Sequence, residues 1–197
     1  MLRANGYLDV PAGKLAAVVT SLEMFARPAL RPEPAGANWH LQRVEHPRLS
    51  WFRDLYRRIG ANWLWFSRLQ MSDASLAAII QHPAIEIYSL RSGGRDEGLV
   101  ELDFRESGAC ELSFFGVMQN LIGTGAGRWL MNRAIEVAWA YPIRRFWVHT
   151  CTFGHPSALP LYIRSGFAPF RRQIEIADDP RLDGTLPRED APQVPII

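Results

Sequence analysis

The chain has 197 residues, 48% of them hydrophobic and 21% charged, with a formal net charge of +2. That is enough apolar material for the core of one domain, with no apolar run of membrane-spanning length and too little charge to mark a nucleic-acid binder. The two cysteines, Cys110 and Cys151, lie far apart with no CxxC or nearby histidine pair, which excludes a disulfide framework and a metal site of the zinc type. Arg3, Asn5 and Asp9 interrupt any signal-peptide pattern, so the expectation is a cytoplasmic protein that does not bind a membrane.

Residues 14–25 read as a strand, followed by a linker carrying Pro28, Pro32 and Pro34 that separates an N-terminal arm from the main domain. Residues 39–45 read as a second strand. Ser50 is placed to cap a helix over 51–59, with Phe52, Leu55, Tyr56 and Ile59 on one face and Gly60 as its stop. Ser72 caps a second helix with Leu76, Ile79 and Ile80 inward, ended by Pro83. Three strands follow at 84–90, 98–105 and 110–118, with Gly93, Gly94 and Gly108 in the turns between them. A helix over 127–141 buries Leu130, Met131, Ala134, Ile135 and Ala138 and turns Arg128, Asn132 and Glu136 outward. A strand at 145–152, a helix at 157–165 and a last strand at 170–176 complete the domain, and a Pro-rich, charged tail over 181–197 reads as loosely ordered.

The most informative stretch runs from 109 to 129: an apolar strand, then Gly-Thr-Gly-Ala-Gly at 123–127, then a helix. Free backbone N–H groups and the positive dipole end make a helix N-terminus attractive to phosphate. Gly123, Gly125 and Gly127 remove the Cβ atoms that would keep a pyrophosphate away from those groups. A dinucleotide fingerprint requires glycine where Arg128 stands, and a P-loop requires Lys-Ser/Thr after its last glycine. Neither pattern is met.

The stretch instead resembles motif A of the GNAT acyltransferases, Arg/Gln-x-x-Gly-x-Gly/Ala, with Gly125 and Gly127 at its small-residue positions and Ile122 where the family has Arg or Gln. A second segment, residues 155–167, resembles the family's Asn-x-x-Ala-x-x-Leu-Tyr-x-x-x-Gly-Phe. Ala158, Leu161, Tyr162, Gly166 and Phe167 match it, and His155 stands in the asparagine position. Together with the element order over 39–176, the resemblance implies an α+β fold, a mostly antiparallel twisted sheet flanked by helices. It divides the chain into the strand and linker at 1–34, the acetyltransferase domain at 35–180 and the tail.

The resemblance also implies acetyl-CoA as cosubstrate and acetyl transfer to a primary amine by direct attack in a ternary complex. A non-catalytic acyl-CoA-binding module is the alternative. The backbone of Phe115, Gly116 and Val117 is implied to hold the pantetheine arm with His155 nearby. Ile122, Gly123, Thr124, Gly125, Ala126, Gly127 and Arg128 are implied to surround the pyrophosphate. Tyr162 is implied as the general acid, since a phenol keeps its proton at neutral pH. Glu111 is the candidate base. Alternation places it with Ser113, Phe115 and Val117, and a suitable hairpin register adds Glu101 and Asp103 to that face. His149 is the rival base and reads as a core histidine.

The acceptor, a small molecule or a peptide amine, is expected against residues 51–80, where Trp51, Phe52, Trp63, Trp65 and Phe66 interleave with Arg53, Arg57, Arg58 and Arg68. The more ordinary reading, and the favoured one, places the aromatics in the core and the arginines on a solvated helix face. The strand at 14–25 either extends the main sheet or pairs with a second chain in a homodimer.

Overall fold

The computed structural model describes residues 5–36 and 38–197. Residues 1–4, at the start of the predicted arm, lie outside the described residues. In chain order the elements are β1 (Lys14–Met24), β2 (Trp39–Arg43), α1 (Leu49–Gly60), α2 (Asp73–Ile80), β3 (Ile85–Ser92), β4 (Arg95–Asp103), β5 (Ala109–Val117), α3 (Ala126–Ala138), β6 (Arg145–Cys151), α4 (Ala158–Arg164) and β7 (Ala168–Asp178). They build one seven-stranded sheet in the order β2-β3-β4-β5-β6-β1-β7. All neighbours are antiparallel except β5 and β6.

Each face of the sheet buries against helices. On one face Val100, Leu102, Cys110, Leu112, Phe146 and Val148 pack with Leu130, Met131, Ala134 and Ile135 of α3 and Tyr162 of α4. On the other, Ile85, Ile87 and Leu99 meet Phe52, Leu55, Tyr56 and Ile59 of α1 and Leu76 and Ile80 of α2. Fully burying a side chain of this size contributes about 1.5–3 kcal/mol. The 3.6-residue period of α1 was therefore readable in sequence because its stripe is the one that packs.

Of the two expectations for the strand at 14–25, extension of the main sheet is the one observed: β1 is an interior strand with β6 and β7 paired to its two edges, so neither edge of β1 is free to pair with a second chain. Ser50 does not cap α1. Phe52 donates its N–H to Arg48 O at 3.0 Å, the helix begins at Leu49, and Ser50 already lies inside the first turn. Ser72, in contrast, does cap α2, accepting from Ser75 N. Asn132, expected outside, is 2% exposed because it hydrogen-bonds the Pro-rich linker crossing over α3.

The tail contains only turns, yet it is packed down. Arg181 and Asp179 form a buried ion pair at 2.7 Å. The same guanidinium donates to the carbonyls of Asp190, Ala191 and Val194, so one buried cation gathers the irregular backbone around itself. Leu186 and Ala191 then close over Leu15 and Leu64.

Candidate active site

The site begins where two parallel strands part. β5 and β6 are paired from Ala109↔Arg145 to Leu112↔Val148 and no further. Beyond that point β5 remains bonded to β4 while β6 remains bonded to β1. The opening is a cleft of about 590 Å³ lined by Phe115, Gly116 and Val117 on one side and His149, Thr150 and Cys151 on the other. The backbone edges facing it have lost their ladder partners, which is the arrangement that receives an extended, amide-containing ligand.

A bulge divides the side chains of β5 between the two faces of the sheet. Glu101 pairs with Phe114 but Leu102 pairs with Leu112, so Ser113 is the extra residue on β5. The side-chain alternation therefore flips midway along the strand. Glu111 shares its face with Phe114, Glu101 and Asp103. Phe115 and Val117 fall on the opposite face with Leu112, packed towards α3. The predicted grouping of Glu111 with Phe115 and Val117 assumed an unbroken period of two, and it is replaced by this one.

The glycine loop closes one part of the cleft, which Ile122, Gly123, Thr124, Gly125, Gly127 and Arg128 all line. Gly125 precedes α3 with φ +97°, a left-handed conformation that disfavours any Cβ. Among the described residues, the N–H groups of Gly125, Gly127 and Arg128 donate to no carbonyl, whereas Thr124 N–H reaches Leu121 O. Three free N–H groups at the start of a 13-residue helix are suited to a pyrophosphate. Ala126 departs from its predicted role: it is fully buried in the core and its N–H donates to Thr124 Oγ1. Replacing Gly125 by alanine forces a left-handed L-residue and brings the new Cβ to 3.0 Å from Pro34 Cγ. The strain is on the order of 1–2 kcal/mol, and thermal denaturation is expected to show a melting point lower by a few degrees.

Tyr162 lines the same cleft from α4. Its ring lies edge-on to Phe115 and Phe167 at 6.2 and 6.1 Å. Burial alone pushes its phenol pKa well above the ordinary value, so the hydroxyl is a permanent donor. Glu111 does not line the cleft. Its Oε1 sits 3.3 Å from Nδ1 of His149, which does. The structure thus brings the two rival bases together as a pair, with the imidazole in front and the carboxylate behind. His155 also lines the cleft; its Nδ1 accepts from Ser157 N–H at 3.0 Å and its ring stands against Trp63 at 4.8 Å.

The remaining wall is aromatic. Tyr56, Trp63, Trp65 and Phe66 line it, together with Phe153. Trp65 is seated on Gly60, where a Cβ would stand 2.3 Å from the indole. Of the other residues expected here, Phe52 is fully buried and Trp51 Nε1 donates to Asp96 at 2.9 Å. The arginines of 51–80 are not part of this wall: Arg53, Arg58 and Arg68 are bound to Asp73, Asp54 and Glu101 respectively. The signal that separates them in sequence is faint, since only the Asp54/Arg58 spacing of i,i+4 announces a pair.

Comparison with known proteins agrees with this geometry. The model of the acetyltransferase (GNAT) family matches residues 50–167. No match was found among curated proteins. Among solved structures, a GCN5-related N-acetyltransferase from Sphaerobacter thermophilus is similar with a TM-score of 0.60 and 14% identity. The match covers 86% of this chain, which spans only 53% of that longer protein. An IAA acetyltransferase from Bacillus cereus matches with a TM-score of 0.54 and 22% identity over 68% of this chain and 79% of its own. An aminoglycoside N-acetyltransferase in complex with CoA matches with a TM-score of 0.54 and 18% identity over 71% and 94%. At these identities the likeness is one of fold, and the family assignment rests on the match spanning both motifs and the strands between them. The chain belongs to the acetyltransferase (GNAT) family.

Proposed function

We propose that this protein is an acetyl-CoA-dependent N-acetyltransferase whose acceptor is a primary amine carried on an apolar or aromatic body. The observation that carries the reading is the convergence in one cleft of the free N–H groups of the glycine loop, the donor hydroxyl of Tyr162 and the imidazole of His149. When bound, the cosubstrate supplies the thioester carbonyl that the amine attacks. Nδ1 of His149 faces Glu111, which leaves Nε2 to take a proton from the acceptor nitrogen; Glu111 positions the ring and stabilises its protonated form. Tyr162 donates to the departing sulfur. The C–N bond forms as the C–S bond breaks, and the proton lost by nitrogen is matched by the one gained at the thiol. Trp63, Trp65 and Phe66 surround the acceptor with apolar surface and exclude water.

Titration with acetyl-CoA, with ATP and NADPH as controls, is expected to raise the melting temperature selectively. A ligand at 100 times its Kd adds about 2.7 kcal/mol of stability. Thiol release with an apolar-bodied amine is then expected, reduced roughly 100-fold in His149→Gln and less in Glu111→Gln. Stabilisation by ATP or NADPH but not by acetyl-CoA would refute the cosubstrate assignment. A second reading, an acyl-CoA-binding module without turnover, is favoured by Ile122, 37% exposed where the family carries Arg or Gln. It expects stabilisation without thiol release for any amine.

A further inference from the structure

The Pro-rich linker before β2 is strapped across the start of α3. Buried Asn132 donates Nδ2–H to Arg31 O at 2.8 Å and accepts Arg31 N–H at Oδ1 at 3.3 Å, so it holds both backbone groups of that residue. Glu33 pairs with Arg133. Pro34 stands against Gly125. This strap brings Arg31 to the same cleft as Arg128 of α3 and Arg164 at the end of α4. Among the described residues, none of these three arginines has a carboxylate partner, whereas most other arginines of the fold do. Nε of Arg128 is buried with no acceptor.

Three unneutralised guanidiniums beside a helix N-terminus repel one another unless an anion joins them. Partial burial and the charges of Arg164 and Arg128 lower the Arg31 pKa. The free N–H groups of the loop account for one pyrophosphate and leave these side chains over. We propose that Arg31, Arg128 and Arg164 form a site for a further phosphate of the cosubstrate, the ribose 3′-phosphate that distinguishes coenzyme A from its dephospho form. Arg31, delivered by the linker, is the specificity-determining residue. Planar guanidiniums suit a phosphate because they present paired N–H groups to its oxygens.

The proposal rests on the cosubstrate reading above, and the test separates the two. Binding of CoA and of 3′-dephospho-CoA is measured by calorimetry on the full chain. The wild type is expected to bind CoA at least tenfold more tightly. Arg31→Ala and Arg164→Ala are expected to lose most of that preference while keeping their affinity for the dephospho form. Arg172→Ala, an exposed change on β7 of the same charge, is expected to keep it. Equal binding of both ligands by the wild type, or a preference untouched in Arg31→Ala and Arg164→Ala, overturns the proposal and leaves the cosubstrate reading standing. Binding of neither ligand by a cooperatively melting protein overturns both.

Discussion

Tyr162→Phe is expected to lower kcat by about 100-fold or more while leaving the affinity for acetyl-CoA within a factor of two. Removing a positioned proton donor typically costs 10²–10⁴ in rate. The substitution keeps the ring that packs between Phe115 and Phe167, so stability is expected to hold. Burial is the reason the effect falls on turnover. It keeps the phenol protonated, and under the proposed mechanism a protonated hydroxyl counts only when negative charge develops on sulfur. Steady-state thiol release with a saturating amine, alongside calorimetric binding of acetyl-CoA, separates the two quantities. An unchanged kcat would remove Tyr162 from the chemistry, and a lost affinity would make it a packing residue.

The second large effect lies under the aromatic wall. Glu101 is fully buried on β4 and its Oε1 is 2.5 Å from Nη2 of Arg68, whose guanidinium lies over the Phe114 ring at 4.9 Å. Burial raises the Glu101 pKa even with this partner beside it. Arg68→Leu strands a carboxylate in the core and is expected to destabilise the protein by about 3–5 kcal/mol. For a chain of this size that lowers the melting temperature by on the order of 10 °C. Replacing both residues by leucine is expected to restore most of the loss, because the penalty belongs to the uncompensated charge. The pH dependence gives an independent check. A carboxyl whose folded pKa lies above its unfolded value binds more protons when folded, so stability rises as pH falls through that window. The deficit of Arg68→Leu, measured by denaturant titration, is therefore expected to shrink between pH 7 and pH 5.

What was legible in the sequence was what the backbone itself demands. Gly125 stands at a helix start in a left-handed conformation that disfavours a Cβ, and Tyr162 sits four residues before Gly166 and five before Phe167. These spacings located one half of the cleft, and the apolar periods of α1 and α3 located the two cores. The rest depended on contacts between segments distant in sequence. The Ser113 bulge inserts one residue into β5, leaves no compositional trace, and separates Glu111 from the face that carries Phe115 and Val117. Asn132 looked like an outward residue because its partners, Arg31 and Glu33, are 101 and 99 residues away. The arginines of 51–80 could not be sorted into wall and salt bridge without the positions of Asp73 and Glu101.

The place of β1 in the sheet also governs how the protein is made. It is synthesised long before its partners β6 and β7: Val18 N–H meets the Thr152 hydroxyl across 134 residues. At ordinary rates of synthesis that separation lasts roughly ten seconds. During this time the strands from β2 to β5 are able to assemble by short-range hairpins, while an apolar β1 waits without an edge to join. Closing so long a loop is slow and leaves the nascent chain exposed to misassociation. Slowing translation across β6 and β7 lengthens that exposure, so the yield of native protein is tied to how quickly the segment that encodes these two strands is read.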